Sequence, residues 1–306
     1  MFHYVLGRFI NAIIILLVIA SIVFVLVRLS GDPAELLLPT NATEEQIQFL
    51  REKLELDRPL WVQYLVFMRN LLTRGDLGQS FRYNKPALNL VLRSLPATAR
   101  LALSAILVAL MIGIPAGVIS GLHPGSFIDV AVQSLTLLGQ CMPTFWIGIM
   151  LILVFAVRLG WLPVMGLGGL RHLVLPAVTL GLTTAALIAR MLRAAIFEIT
   201  YEDYTRTARA KGLPERIVVW KHIFRNALIP VITILMVQVG YLMGGSVVTE
   251  TVFNYPGMGL LAVQSILGRD YAVVQTFVIF TGIIVVTANL LADISYGIVD
   301  PRIRRN

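Results

Sequence analysis

Charge is scarce in this chain: of its 306 residues only 14% are Asp, Glu, Lys or Arg, against 57% hydrophobic residues. Soluble domains carry about 25% charged residues, so the apolar surface exceeds what one aqueous core can hide, and the composition is that of a polytopic membrane protein. Cysteine is scarcer still. Cys141 alone excludes both a disulfide framework and a clustered cysteine metal site, and its place in an apolar run makes it an expected packing residue. No G-x-x-x-x-G-K-[ST] stretch occurs, so ATP binding through a P-loop is not expected. H-E-x-x-H and G-x-S-x-G are also missing, and His3, His123, His172 and His222 are scattered, so the residues give no support to an enzyme.

Six runs contain no Asp, Glu, Lys or Arg and approach the roughly 20 residues needed to cross hydrocarbon. They are Phe9 to Val27, Leu101 to Gly121, Leu135 to Val157, Leu173 to Ala189, Leu228 to Thr249, and Tyr271 to Ala292. The fourth is short and is expected to continue past Arg190, whose side chain can snorkel. The first exceeds a usual signal-peptide core and no A-x-A site follows it, so it is read as a retained span. Runs without ionisable residues argue against coupling ions or protons bound in mid-membrane. Asp293 is the nearest candidate for a relay, and a surface carboxylate is its simpler reading.

The net charge of +8 is largely a matter of sidedness. Arg8, Arg190, Arg193, the six basic residues from Arg206 to Arg225, and Arg302, Arg304 and Arg305 fall on one side of a six-span chain. Arg158, Arg171 and Arg269 alone occupy the short loops of the other. The bias predicts cytoplasmic N- and C-termini and leaves nucleic-acid binding without support.

The connections are patterned as well. Thr43 and Gln46 have capping-box spacing before a helix reaching about Leu54. Pro59 can open a second helix, with Leu60, Tyr64, Phe67 and Leu71 along one face, and "RGDLGQSF" from Arg74 reads as a turn. This segment serves either as a lid over the spans or as a docking surface. Small residues recur four apart at Gly113, Gly117 and Gly121, at Gly181, Ala185 and Ala189, and at Gly240 and Gly244. Such stripes let helix backbones approach in lipid. Pro115, Pro143 and Pro176 can kink their helices. After the fifth run, Tyr255, Pro256 and Gly257 supply a turn before a short helix from Leu260 to Leu267, at the outer surface or dipping inward.

Between the fourth and fifth runs lies "YTRTARAKGLPERIVVWKHIFRNALIP", Tyr204 to Pro230. Tyr201, Tyr204 and Ala208 share a face of one short helix, Gly212 can end it in the left-handed conformation, and Pro214 can start the next. In the second arm Ile217, Trp220, Phe224 and Leu228 form one face and Lys221 and Arg225 another, as in an arm lying along a membrane surface. Topology needs the charge, but it has no use for the hairpin. Ala208 and Gly212 are small four residues apart, so that another protein can approach the first arm.

The segment "DYTRTARAKGL…WKHIFRNALIP" resembles the EAA loop of ABC importer permeases, in the dipeptide, oligopeptide and nickel branch. The resemblance extends through "GDP" (Gly31 to Pro33), "LDRPLWVQY" (Leu56 to Tyr64), "GDLGQS" (Gly75 to Ser80), "LPAT" (Leu95 to Thr98), "FNYPGMG" (Phe253 to Gly259) and "DPRIRR" (Asp300 to Arg305). Arg206 stands where the general pattern has glutamate, a variation typical of this branch. The resemblance implies an all-α fold of six transmembrane helices, the type I importer permease fold, with a helical periplasmic insertion after the first span and a cytoplasmic coupling helix between spans 4 and 5. Residues 1–29 would hold the first span, 30–96 the periplasmic connection, and 97–306 a five-helix core with its coupling loop at 196–227. Localisation would be the bacterial inner membrane. The implied partners are a homologous permease in a heterodimer, two cytoplasmic ATPase subunits holding ATP and Mg²⁺, a periplasmic substrate-binding protein and the lipid bilayer. This chain itself would bind no cofactor or metal.

By the same resemblance Tyr204, Thr207, Ala208, Arg209, Ala210, Lys211 and Gly212 would couple to the ATPase. Glu250, Phe253, Pro256 and Gly257 would form a periplasmic gate or a contact for the binding protein. Met142, Phe145 and Trp146, beside Pro143, are candidates for the translocation pathway. Small peptides are the implied cargo. Nickel or a metal chelate is the alternative within the family, since "WLPVMGLGGLRHLVLPAV" (Trp161 to Val178) resembles nickel-type members as much as peptide ones. A stand-alone secondary transporter is the more distant alternative.

Overall fold

The computed structural model describes residues 2–29, 43–53, 57–80 and 82–299. The motifs at Gly31 to Pro33 and Asp300 to Arg305, with Arg302, Arg304 and Arg305, lie outside the described residues, as does the carboxylate of Asp293.

Helix α1 (Phe2–Leu29) is followed by α2 (Glu44–Lys53), which opens on the expected capping box. Thr43 N–H donates to Gln46 Oε1 at 3.1 Å and Gln46 N–H to Thr43 Oγ1 at 3.4 Å. Helix α3 (Leu60–Arg74) lays Tyr64 and Phe67 on Phe24 of α1, with ring centroids 5.5 and 5.4 Å apart, and Ser21 Oγ lies 2.7 Å from the Tyr64 hydroxyl. Leu60, expected on that face, is exposed, because it is the first residue of the helix. Gly75 ends α3 at φ +61°, where a left-handed residue returns its N–H to Leu71 O. A small antiparallel ladder, β1 (Gln79–Ser80) with β2 (Lys85–Pro86), leads into α4.

The centre of the molecule is α4 (Ala87–Leu122) against α7 (Leu170–Thr200). The glycine stripe explains their closeness. A Cβ on Gly113 would stand 2.7 Å from Ala185 O, and one on Gly117 2.8 Å from Ala189 O. A Cβ on Gly121 would stand 2.9 Å from Ile196 Cβ. In lipid, this backbone contact replaces the missing hydrophobic drive. Gly117→Leu is therefore expected to destabilise the purified protein by at least the roughly 1–3 kcal/mol of an overpacked core, read as a lowered thermal midpoint in detergent.

The same contacts fix direction. Partner numbers on α7 rise with those on α4, so the two helices run parallel, and the chain between them must return from one end of the bundle to the other. That crossing falls to α5 (Phe127–Cys141) and α6 (Thr144–Leu151), the latter continuing as a π-helical stretch, Ile152–Arg158. The expected run from Leu135 to Val157 is broken at Pro143, one of the prolines expected to kink its helix: the pair bends by 104°. Pro143 lacks the N–H the helix needs and forces Met142 into extended backbone, φ −76° and ψ 129°. Cys141, expected to be packed, is exposed at this break. Among the described residues, five helices are long and apolar enough to cross a membrane, and with the pair counted as one crossing they become six.

Helix α7 continues past Arg190 to Thr200, as expected. After α8 (Asp203–Ala210), α9 (Glu215–Ile217) passes through a π-helical stretch, Val218–Phe224, into α10 (Arg225–Gly245). Then come α11 (Val247–Val252), α12 (Met258–Leu267) and α13 (Tyr271–Val299). Gly240 and Gly244 face Ala288 and Thr281, which makes α10 and α13 antiparallel. Gly282 faces Ile19 and Leu16 at the antiparallel α1 contact, where Ala20 and Ile279 share a buried cluster. It follows that the start of α1, the α7–α10 connection and the end of α13 share one end of the bundle.

Candidate functional site

At that end the hairpin is built from its own backbone. Gly212 has φ +73°, the left-handed conformation expected of it, and its N–H returns to Arg209 O at 2.9 Å. Pro214 caps α9 by accepting from Ile217 N–H at 2.8 Å. Three side-chain contacts hold α8 in place. Thr205 Oγ1 donates to Ile199 O at 2.8 Å, Arg209 Nη1 donates to Thr200 O at 3.2 Å, and Arg209 Nη2 meets Glu215 Oε1 at 2.7 Å. The carboxylate holds the Arg209 guanidinium above its usual pKa. Arg209 thus braces the hairpin.

Two expectations are corrected. Ala208 does not offer its small side chain to a partner: it is buried in a cluster with Leu192, Ile196, Ile223 and Ala227. Tyr201 belongs to the end of α7, with its N–H returned to Glu198 O, and so does not share a face of α8. The surface left for a partner is Tyr204, Arg206, Thr207, Ala210, Lys211 and Gly212, all exposed.

The second arm is not a separate surface helix but the beginning of a continuous 30-residue apolar helix, Glu215–Gly244. Its buried residues up to Val231 are Val218, Ile223, Ala227 and Val231, spaced by five, four and four. The first spacing is that of the π-helical stretch, which rotates the core face by one residue. The face read from the sequence is thereby split, with Ile217 and Trp220 exposed and Phe224 and Leu228 packed against the buried cluster.

At the opposite end, the chain from α11 to α12 is organised by Glu250. Its side chain, expected at a gate or docking surface, is fully buried. Oε1 accepts from Thr98 Oγ1 and Ser246 Oγ, both at 2.8 Å, while Oε2 accepts from Gly259 N–H at 2.7 Å and Leu260 N–H at 3.1 Å. Thr98 Oγ1 also accepts Met258 N–H at 2.8 Å. The first turn of α12 has orphan N–H donors and no capping side chain, because its N-cap is Gly257. Glu250 and Thr98 cap it from two other helices. Gly257 is required by space, since a Cβ there would fall 2.4 Å from the Glu250 carboxyl.

Phe253 is buried too, and burial pushes the pKa of the neighbouring Tyr255 phenol up. Of the four expected gate residues, Pro256 alone is exposed. Pro256 and Gly257 border a cleft of about 380 Å³ with Ser94, Asn254, Leu260 and Gln264.

The bend of α5 and α6 encloses a second, apolar cleft of about 510 Å³. Met142 and Trp146 line it together with Leu135, Met150, Leu182 and Ala186. Phe145, half exposed, lies outside the lining. The structure therefore brings two of the three pathway candidates together.

Sequence reasoning missed three polar contacts. Asp129, buried at the start of α5, accepts from Arg193 Nε at 2.8 Å and Nη2 at 2.9 Å, from Ser120 Oγ, and from Gly125 N–H at 2.9 Å. Ser80 donates to the buried Asp270, and Thr98 serves Glu250 as described. Two of these pairs join residues more than 150 positions apart, so no local spacing marks them in the sequence.

Residues 113–305 match the family model described as binding-protein-dependent transport system inner membrane component, and residues 1–102 match the model for its N-terminal part. The chain belongs to this family. A di/tripeptide transport permease of Pseudomonas aeruginosa is 40% identical, with 94% of each chain covered. A putative peptide transport permease of Brucella abortus is 41% identical over 98% of each, and a glutathione transport permease of Escherichia coli K12 is 38% identical over 99% of each. Among solved structures, an inward-facing methionine ABC transporter aligns with TM-score 0.58 at 23% identity, covering 69% of this chain and 96% of that one. An amino acid ABC transporter aligns with TM-score 0.54 at 16% identity, covering 67% and 92%. At these identities the likeness concerns the fold. This permease has the type I ABC importer architecture and is a membrane transport component.

Proposed function

We propose that this permease is one half of the membrane pathway of an ATP-driven importer for small peptides or related solutes. A homologous permease forms the other half, two cytoplasmic ATPase subunits supply the force, and a periplasmic binding protein delivers the cargo. In this orientation the hairpin and both chain termini are cytoplasmic, and the Glu250 knot is periplasmic. The family membership and the peptide and glutathione permeases among the relatives support the cargo class. One observation carries the coupling role: the hairpin presents Tyr204, Thr207, Ala210, Lys211 and Gly212 outward while Thr205, Ala208 and Arg209 fix it to the bundle.

The nucleotide and its Mg²⁺ belong to the partner ATPases, and this chain's share of the cycle is mechanical. A groove that grips the exposed side of α8 pulls on Ile199 and Thr200 through Thr205 and Arg209. Helix α7 cannot slide alone, because the glycine stripe locks it to α4. The displacement therefore reaches Thr98 and the periplasmic end as a movement of two helices together.

Gly212 tests this reading with a built-in control. A side chain there meets nothing of this chain within 4 Å, so any clash must come from a partner. Gly212→Asn tolerates left-handed backbone and should retain most peptide uptake. Gly212→Asp, whose short side chain also tolerates left-handed backbone, should lose ATPase association and at least tenfold in uptake while the permease stays in the membrane. Normal uptake by the aspartate variant would remove the coupling role from this hairpin.

A further inference from the structure

Charge is sorted between the two arms of the hairpin. On the first arm Arg209 is engaged by Glu215, and Arg206 approaches Asp203 at 4.0 Å. On the second, Arg216, Lys221 and Arg225 are exposed and make no ion pair among the described residues. Beside them Trp220 is 54% exposed, stacked edge-on against Phe224 with centroids 5.0 Å apart, and Ile217 is exposed as well. The free cations therefore stand with uncovered apolar rings.

Depth follows from the helix itself. Counting back from Gly245 by about 20 residues, the length that spans some 30 Å of hydrocarbon, ends at Arg225. Lys221 lies about 6 Å further out, at 1.5 Å per residue. Both cations fall at headgroup level, and Trp220 and Phe224 fall at the boundary where aromatic rings collect.

We propose that Lys221 and Arg225, with Trp220, form a binding site for the phosphate group of an anionic phospholipid beside the coupling hairpin. The buried Val218 and Ile223 seat this arm against the same cluster that holds Ala208. A headgroup bound there fixes the base on which α8 rests, so that coupling responds to the lipid. The site rests on the proposed cytoplasmic placement of the hairpin, and its first readout does not depend on transport.

The test compares wild type with Lys221→Gln/Arg225→Gln, each co-expressed with its partner subunits. The assemblies are placed in nanodiscs of phosphatidylcholine alone or of an equal mixture with phosphatidylglycerol. Native mass spectrometry should show phosphatidylglycerol retention weakened by about fivefold per cation removed. Wild-type ATP hydrolysis stimulated by binding protein should rise with phosphatidylglycerol, and the variant should stay at the phosphatidylcholine level. Equal lipid retention by the two proteins overturns the site. Loss of the ATPase subunits from the variant in phosphatidylcholine alone also overturns it, since the cations would then belong to a protein contact. Wild-type ATP hydrolysis that binding protein fails to stimulate, with lipid retention intact, would count against the importer reading and leave the lipid site standing.

Discussion

Replacing Glu250 with alanine is expected to leave Gly259 N–H, Leu260 N–H and the Thr98 and Ser246 hydroxyls without their acceptor in a site closed to water. A buried donor left unmade costs about 1–3 kcal/mol. Even if two of the four find water, the loss is about 3 kcal/mol, a large share of a typical total stability of about 5–15 kcal/mol. Glu250→Gln discriminates between packing and hydrogen bonding. Glutamine fills the same volume, but only one terminal oxygen can accept, and its amide group would face the N–H donors of α12 or the hydroxyls. The thermal midpoint of the glutamine variant should therefore fall nearly as far as that of alanine. Peptide uptake should be lost while the hairpin still retains its ATPase, because α8 lies at the other end of the bundle. A glutamine variant that unfolds with wild type would show that the carboxylate is not what holds α12.

The fate of Glu250 shows what the sequence could and could not reveal. The spans were legible because membrane helices advertise themselves by length and missing charge, and the glycine stripes because spacing alone identifies a close helix face. The hairpin could be read from Gly212 and Pro214, whose backbone limits are local. By contrast, Ala208 and Glu250 were placed on surfaces and proved to be buried. Both face partners brought from elsewhere by tertiary structure, Ala208 against α7 and α10, Glu250 against Thr98. The break at Pro143 had a local cause in plain view, yet the apolar run around it gave no measure of the bend. Likewise, the π-helical stretch at Val218–Phe224 defeats any reading that assumes 3.6 residues per turn.

The second large effect concerns Asp129 and Arg193, which join α7, the helix the hairpin pulls on, to the bent pair. Arg193 lies within two turns of Thr200, where α8 is tied to α7, and Asp129 opens the bent pair that encloses the apolar cleft. Among the described ion pairs, theirs is the one linking α5 to α7. Removing either partner strands the other in a poorly hydrated place. Asp129→Ala should cost toward the lower end of the about 3–5 kcal/mol seen for broken buried pairs, since Arg193 keeps a quarter of its side chain exposed. Replacing both partners, as Asp129→Leu/Arg193→Met, removes the stranded charge and should recover part of that loss, the Ser120 hydroxyl and Gly125 N–H being left without their acceptor. The double variant, more stable than Asp129→Ala, then separates fold from transmission. With α5 no longer pinned to α7, a pull on the hairpin moves α7 without carrying the bent pair, so ATP hydrolysed per solute imported should rise severalfold in reconstituted vesicles, although its thermal midpoint lies above that of Asp129→Ala. An unchanged ratio would confine the pair to stability, and would leave the glycine-locked α4 and α7 as the whole route from the hairpin to the outer end.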